Sequence, residues 1–216
     1  MAKRCQGLNS KCFLFTYLVI VSFLLILWLN RLPLVHEELR DIPVDLQAYI
    51  TSPARTMNDY YIRIEGELVL TSNLLEDKWT LVYFSHANCF PACEATLIKM
   101  AEFDAAYATY DVQSMIFDLD NQDQAKGSMA LQLTQKGFRI VVADASSTGI
   151  TALAKTFIAL FLRTDFSDGS YQIEQEHMLF IVDPKARVYA SFDQQVSSKT
   201  IKQTFAKLRA FYARTE

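Results

Sequence analysis

The most evident chemistry in this sequence is a pair of cysteines separated by three residues. Cys89 and Cys93 lie in NCFPAC, directly after the apolar run TLVYFS at 80–85, which predicts a buried strand. Asn88 is a suitable N-cap, so a helix is expected to begin near Cys89. The two thiols would then lie one turn apart, near the positive end of the helix dipole, which favours thiolate. Thiolate is both the nucleophile of disulfide exchange and a ligand for soft metals.

A structural disulfide, or two buried cysteines that only fill space, is the alternative explanation of this pair. A structural bridge stabilises most when it closes a long loop, and a bridge between Cys89 and Cys93 closes very little chain. Cysteines between a strand and a helix, in an oxidising compartment, favour a functional role. The spacing leaves open which role, because the common redox motif has two intervening residues and this one has three.

Strand and helix patterns alternate from residue 58 to residue 216. Strands are predicted at 61–70 (a hairpin with its turn near Gly66), 80–85, 112–119, 138–144, 178–182 and 187–192, and helices at 91–108, 123–136, 148–162 and 198–213. A polar turn is expected around Asp168-Gly169. This order predicts a thioredoxin-like α/β sandwich, with a central mixed sheet flanked by helices and an N-terminal hairpin.

An uncharged apolar run precedes this domain. Residues 13–29, FLFTYLVIVSFLLILWL, would reach roughly 25 Å as a helix, which is close to the hydrocarbon thickness of a bilayer. Basic residues in 1–12 precede the run and acidic residues follow it, so the positive-inside rule predicts a cytoplasmic N-terminus. The Pro-punctuated residues 30–57 are the predicted stalk. We expect a single transmembrane helix in the bacterial inner membrane, with the C-terminal domain in the periplasm.

A cleaved signal peptide is the alternative to an anchor. The apolar run is longer than the usual signal-peptide core, and the following WLNRLPLVHEEL offers no small-x-small cleavage site. Both features favour an uncleaved anchor. The sequence assigns no role to Cys5 and Cys12, which precede the run.

Composition narrows the classes of function. The formal net charge of -3 argues against a nucleic-acid partner, because phosphate binding normally requires a basic patch. Asp118, Asp120 and Asp123 lack the Gly and the closing Glu of a calcium loop, so a solvated strand end is expected there. No Thr-x-x-Cys pattern precedes either candidate cysteine, which disfavours a peroxidase.

Two stretches of the sequence resemble the SCO/SenC family. KWTLVYFSHANCFPACEATLIKM has that family's strand ending in a Cys-x-x-x-Cys loop, and EQEHMLFIVDPKARVYASF has its loop histidine followed by a strand, an Asp-Pro turn and a second strand. Family members are membrane-tethered, thioredoxin-like proteins that bind copper through both cysteines and the histidine and assist cytochrome c oxidase assembly. The resemblance therefore implies a thioredoxin-like SCO/SenC domain at 58–216, with Cys89, Cys93 and His177 as copper ligands.

The chain departs from the family pattern near each candidate ligand. Glu94 follows the second cysteine where the family usually has Pro, and Glu176 precedes the histidine where Asp is typical. The loop between the cysteines lacks the family's acidic residue. The chain is therefore identified as a divergent member.

His177 favours copper binding over redox chemistry alone. Thioredoxin-like redox enzymes usually place a cis-proline in the loop that faces the cysteines, and this chain offers His177 there, with no Pro between residues 92 and 183. Two thiolates and an imidazole suit Cu(I). An ordinary loop histidine is the alternative. Among the competitors, His86 is expected to support the ligands or the structure, Met178 to pack in the core, and His36 to have no specific role.

The leading interpretation is a metallochaperone that binds Cu(I) or Cu(II) and passes it to a cytochrome c oxidase subunit or another copper-site client. The rival class is an enzyme, a thiol–disulfide oxidoreductase that keeps partner cysteines reduced without metal, with Cys89 and Cys93 as its redox-active pair. The two differ at His177, which disulfide exchange does not require. An inert scaffold is disfavoured because all three candidate ligands are present.

Overall fold

The computed structural model describes residues 15–28, 42–64, 67–120, 129–138, 140–145 and 147–216. The chain divides into two compact units, Met1–Gln47 and Ala48–Glu216. The second unit contains Cys89, Cys93 and His177.

The first unit contains a helix, α1, over 15–28. Within the parts of the chain that the structure describes, no helix has both the length and the apolar character that a membrane crossing requires. The predicted span at 13–29 extends beyond the described residues at both ends, and the predicted cytoplasmic segment 1–12 lies outside them. The anchor therefore stays a prediction.

A mixed sheet of eight strands forms the centre of the second unit, and two further strands pair separately as a hairpin. In chain order the strands are β1 (Ile50–Thr56), β2 (Tyr61–Ile64), β3 (Glu67–Leu70), β4 (Trp79–Ser85), β5 (Val112–Asp118), β6 (Val141–Ala145), β7 (Phe161–Asp165), β8 (Tyr171–Gln175), β9 (Leu179–Val182) and β10 (Arg187–Phe192). The large sheet has the order β1-β10-β9-β4-β5-β6-β2-β3. β4, β5 and β6 are parallel, and the other neighbours are antiparallel.

Five α-helices accompany these strands. They are α2 (Thr71–Leu75), α3 (Glu94–Tyr107), α4 (Met129–Gln135), α5 (Ser147–Phe157) and α6 (Ser198–Thr215). Helix α6 begins at an N-cap, Ser197, whose side chain accepts a hydrogen bond from the Thr200 amide, as helix N-termini require.

Every residue of the central strand β4 is buried, because β5 and β9 flank its edges and side chains of α5 and α6 pack on its two faces. Side chains alternate along a strand, so Val82 and Phe84 point to one face, where they join an apolar cluster that includes Phe157 of α5. Trp79 points to the opposite face and its ring lies 5.5 Å from that of Phe205 in α6. Burial on two faces explains why β4 is a continuous apolar run instead of an alternating one.

These elements form the predicted thioredoxin-like α/β arrangement, with a central mixed sheet and flanking helices. The N-terminal hairpin is also present, since β2 pairs with β3 from Tyr61–Leu70 to Ile64–Glu67. Its predicted turn at Gly66 lies outside the described residues.

The sheet includes residues that the sequence assigned to the stalk. β1 occupies part of the predicted stalk, 30–57, and pairs with β10 through Arg55–Val188 and Thr56–Arg187. Because β1 is hydrogen bonded to β10, the domain begins before residue 58, the start that the sequence predicted. Residues 30–41 of the predicted stalk lie outside the described part of the chain.

The helix predicted at 148–162 ends earlier than expected, and a hairpin follows it. Ile158 adopts a left-handed backbone conformation, with φ of 56°, and stops α5 after Phe157. Its amide bonds the Lys155 carbonyl at 3.1 Å, and the Ala159 amide bonds the Ala154 carbonyl at 2.9 Å, which is the hydrogen-bond pattern of a helix C-terminus. The chain then forms β7 and β8, whose turn is the predicted Asp168-Gly169 turn.

Candidate functional site

The cysteine pair lies in the loop that joins β4 to α3. The Cys93 amide donates to the Cys89 carbonyl at 3.2 Å, so the two residues are one turn apart, as the spacing predicts. Their Cα atoms are 5.5 Å apart and their sulfurs form a disulfide in this structure. The two cysteines therefore lie together at the end of β4, within the distance that a disulfide requires.

The helix itself begins later than predicted. α3 starts at Glu94 with Cys93 as its N-cap, and Asn88 lies inside a short 3₁₀ helix, Ala87–Cys89. The Cys89 amide bonds the His86 carbonyl, and the Glu94 amide bonds the Pro91 carbonyl, each three residues back. These tight turns replace the first α-helical turn. Cys93 consequently lies at the positive end of α3, where a thiolate is favoured once the disulfide is reduced.

The sulfur of Cys89 has a polar neighbour from the end of β4. Ser85 Oγ donates to Cys89 Sγ at 3.2 Å. Cys93 is fully buried, and Cys89 is 4% exposed. The loop is also tied to β5, since the Leu119 amide donates to the Ser85 carbonyl and the Ala87 amide donates to Asp120 Oδ2.

His177 lies between β8 and β9, as the sequence predicted for a loop histidine before a strand, and a buried tyrosine and a half-buried glutamine hold its ring. The Tyr83 hydroxyl lies 2.5 Å from His177 Nδ1. Gln175 Nε2 donates to the Tyr83 hydroxyl and to the Phe84 carbonyl, both at 2.9 Å, and lies 3.3 Å from His177 Nδ1. The imidazole is therefore oriented by β4 and β8 together.

This hydrogen bonding decides which imidazole nitrogen can bind a metal. The Tyr83 oxygen accepts from Gln175 and still has both a hydrogen and a second lone pair for His177 Nδ1. When Nδ1 carries the imidazole proton and donates it to Tyr83, the lone pair of Nε2 is free to coordinate. Burial lowers the pKa of His177 and raises the pKa of Tyr83, so both groups are neutral near pH 7.

Cys89 and His177 line the same cleft, which has a volume of about 510 Å³. Its walls come from the cysteine loop, β8 and the segment that follows β8: His86, Asn88, Cys89, Phe90, Ala92, Tyr171, Gln172, Ile173, Glu174, Gln175 and His177. The structure thus brings two of the three predicted ligands to one opening, and the disulfide joins the third, Cys93, to that opening.

The three predicted ligands do not form a finished metal site while the disulfide is closed. Among the described residues, no three His, Cys, Asp or Glu side chains are arranged around a metal position. A disulfide sulfur lacks the thiolate charge that soft metals require. Reduction of the Cys89–Cys93 bond must therefore precede any metal binding by these sulfurs.

The other residues that the sequence weighed have varied positions. His86 is buried and lines the cleft, and Met178 packs against the apolar cluster, as predicted for a core residue. Asp118 and Asp120 hydrogen bond within the loop after β5, where Asp118 Oδ1 accepts from the Asp120 amide. Four residues that the sequence analysis considered lie outside the described part of the chain: Cys5, Cys12, His36 and Asp123.

Sequence reasoning did not identify the groups that hold the candidate ligands in place. Tyr83 and Ser85 were predicted only as residues of a buried strand, and no role was predicted for Gln175. A usable signal existed for Tyr83, because a tyrosine in a fully buried strand needs a hydrogen-bond partner for its hydroxyl. Gln175 offered no signal, because β8 was not predicted.

The fold and the site together define a thioredoxin-like protein with a cysteine pair and a histidine at one cleft. The sequence model of the SCO1/SenC family matches residues 49–210, so the chain belongs to the SCO1/SenC family.

Similarity to individual relatives is distant in sequence and clear in fold. Protein SCO1 homolog 1, mitochondrial, of Arabidopsis thaliana is 21% identical over 127 residues; the match covers 57% of this chain and 38% of that protein's length. The crystal structure of Arabidopsis thaliana ScoI with copper bound has a TM-score of 0.59 at 18% identity, covering 71% of this chain and 97% of that one. Yeast Sco1 with copper bound has a TM-score of 0.61 at 14% identity, covering 75% and 90%. These two structures share this chain's fold.

Proposed function

We propose that this chain is a membrane-anchored copper metallochaperone, not primarily an enzyme, that binds one copper ion through Cys89, Cys93 and His177. The observation that carries the proposal is the shared cleft, which brings the disulfide-forming cysteines and the oriented imidazole of His177 to one opening. Membership of the SCO1/SenC family supports it, as do the copper-bound structures of the Arabidopsis and yeast proteins.

The donor set suits copper in both oxidation states. Two thiolates and one imidazole satisfy three-coordinate Cu(I), and imidazole nitrogen also suits Cu(II). Loading begins with reduction of the Cys89–Cys93 bond. Two thiols of an external reductant supply two electrons and two protons, become a disulfide, and leave both cysteines as thiols. Copper then displaces the thiol protons as it binds.

The route of release to a client follows from the different positions of the two cysteines. Cys89 lines the cleft, whereas Cys93 is fully buried. An incoming ligand of the client therefore reaches the Cys89 side of the copper first and exchanges with it there. The client we propose is a subunit of cytochrome c oxidase, or another protein whose copper site is assembled from cysteine and histidine.

The proposed location is the bacterial inner membrane, with a single span at 13–29 and the thioredoxin-like domain in the periplasm. The uncharged apolar run and the basic residues before it support this topology. A periplasmic domain also explains the requirement for a reductant, because the pair would otherwise stay oxidised in that compartment.

A thiol–disulfide oxidoreductase without metal is the second candidate function. The closed disulfide, one sulfur of which lines an open cleft, specifically favours it. Its exchange step needs the two cysteines and does not need His177. The two candidate functions therefore predict different effects of His177→Ala: loss of copper transfer for the metallochaperone, and no loss of disulfide exchange for the oxidoreductase.

A paired assay on the full chain in detergent tests the proposal. One arm measures copper transfer from the loaded protein to a soluble domain carrying a cysteine and histidine copper site, and the other measures thiol–disulfide exchange with a reduced dithiol. We expect His177→Ala to reduce transfer strongly and to leave the exchange rate nearly unchanged. Exchange that is normal in a wild type unable to transfer copper would establish the oxidoreductase instead.

A further inference from the structure

His86 occupies the same cleft as the candidate copper ligands. It directly follows β4 and lies three residues before Cys89, whose amide donates to the His86 carbonyl at 3.1 Å. Its side chain lines the cleft together with Cys89 and His177. Burial lowers the pKa of His86, the carboxylate of Asp120 raises it, and a protonated His177 would lower it, so both of these groups lie near the His86 ring.

The side chain of His86 has a buried nitrogen without a hydrogen-bond partner among the described residues. The residue is only 6% exposed, and this nitrogen is Nδ1. A buried imidazole nitrogen normally has a partner, because leaving it without one costs about 1–3 kcal/mol. His177 differs, since its Nδ1 is held by Tyr83. The nearby carboxylate of Asp120 favours the protonated His86 ring electrostatically but does not bond Nδ1, so hydrogen bonding within the described residues leaves this nitrogen available.

We propose that His86 is a second imidazole ligand of the copper site, so that the reduced protein offers Cu(II) two thiolates, from Cys89 and Cys93, and two imidazoles, from His86 and His177. This inference rests on the proposed copper-binding function and extends its ligand set by one residue. Sequence reasoning had assigned His86 only a supporting role.

The fourth donor distinguishes the two oxidation states of copper. Cu(I) is satisfied by the two thiolates and one imidazole, whereas Cu(II) prefers four donors in a tetragonal arrangement with nitrogen among them. His86 therefore stabilises the Cu(II) form more than the Cu(I) form. Its presence therefore raises the affinity for Cu(II) relative to that for Cu(I).

The test counts imidazoles on the bound ion. The full chain, labelled with ¹⁵N-histidine and held in detergent, is reduced, loaded with one equivalent of Cu(II) under nitrogen and frozen for pulsed electron paramagnetic resonance. We expect two coupled imidazoles in the wild type and one in His86→Gln or His177→Ala. Gln172→Ala is the matched control, because Gln172 lines the same cleft on the β8 side and has no proposed contact with copper.

Affinity provides a second readout. His86→Gln should weaken Cu(II) binding by about tenfold or more and change Cu(I) binding by less than about threefold. If His86→Gln does not fold, His36→Gln replaces it: two coupled imidazoles in that variant assign the second one to His86, and one assigns it to His36. A wild type that binds one copper with a single coupled imidazole overturns the role of His86 alone. A reduced wild type that binds no copper overturns the proposed function, and the role of His86 with it.

Discussion

The Tyr83 hydroxyl lies 2.5 Å from Nδ1 of His177 and thereby links the buried central strand to the loop that carries the candidate nitrogen ligand. Tyr83 is fully buried, so its ring is fixed by the core. Its hydrogen bond to Nδ1 restricts the orientation of the His177 imidazole, which is itself only half-buried. A ligand held in this way is ready to bind and loses little conformational freedom when it does.

Replacement of this hydroxyl should weaken the copper site. Tyr83→Phe removes two hydrogen bonds, the one with His177 Nδ1 and the one from Gln175 Nε2, and leaves His177 Nδ1 with only the longer contact to Gln175. We expect a loss of about 2 kcal/mol in the free energy of unfolding, at about 1 kcal/mol for each hydrogen bond, and copper affinity lower by about tenfold or more. Denaturant unfolding and competition with a chromophoric chelator measure the two effects. Tyr189→Phe is the control, because Tyr189 is buried on β10 and packs against Trp79; copper affinity that is equal in both variants would contradict a role for the Tyr83 hydroxyl.

The disulfide should be reversible, and its two sulfurs should differ in reactivity. Thiol trapping across a series of redox buffers is expected to show one two-electron transition that either Cys89→Ser or Cys93→Ser abolishes. In these single variants the remaining thiol should be alkylated faster at Cys89, which lines the cleft, than at the fully buried Cys93. Unfolded protein should show equal rates for both. A pair that stays reduced under strong oxidant in the folded protein would be incompatible with the bridging geometry.

Two carboxylates should affect stability with opposite dependence on pH. Burial raises the pKa of Asp104 above its ordinary value of 3.8, so the folded state resists its ionisation. Stability is lost as pH rises above 3.8 and through the raised pKa of the folded state. Asp104→Asn should therefore stabilise the domain at pH 7 and have no effect near pH 3. The Ser170 hydroxyl and amide lower the pKa of Asp168, so Asp168→Asn should destabilise at pH 7, and that effect should vanish as pH falls below 3.8.

Urea unfolding of both variants over this pH series measures these differences. An Asp104→Asn variant less stable than the wild type at pH 7 would show that interactions of the carboxylate outweigh its burial.

The anchor prediction can be tested within the described part of the apolar run. Leu24→Arg together with Ile26→Arg places two charges in α1, each costing about 3 kcal/mol at the centre of a bilayer. The double variant should leave the membrane fraction, whereas Leu24→Val with Ile26→Val should remain in it. A periplasm-dependent reporter fused after Glu216 should be active only in the conservative variant and the wild type. A mature protein that begins between Asn30 and Ala54 would show instead that the run is a cleaved signal peptide.

The central strands, the last helix and the cysteine loop after β4 were predictable because each has a strong local sequence signal. β4 is a continuous apolar run, and burial on both faces of a sheet produces such a run. Helix α6 has an apolar face, with Ile201, Phe205 and Leu208 buried at helical spacing, and a serine at its N-cap. A two-cysteine motif directly after a buried strand was sufficient to locate the candidate site.

The end of α5, the β7–β8 hairpin and β1 could not be predicted, because local sequence patterns do not specify them. Helical spacing continues past Phe157, and only the left-handed conformation of Ile158 ends α5; an isoleucine is a poor indicator of such a stop, since glycine usually provides it. The hairpin β7–β8 was therefore missed, and with it Gln175. β1 was assigned to the stalk because an edge strand with a proline, Pro53, has a weak strand pattern.

Copper binding by the reduced full chain in detergent tests the central claim most directly. Titration under nitrogen against a Cu(I) chelator, with metal analysis of the isolated complex, should give one copper per chain in the wild type. Cys89→Ala or Cys93→Ala should nearly abolish binding, because each removes a thiolate, the dominant contributor to Cu(I) affinity. His177→Ala should weaken Cu(I) moderately and Cu(II) severely. A reduced wild-type protein that stays copper-free would contradict the account and leave a thiol–disulfide oxidoreductase in its place.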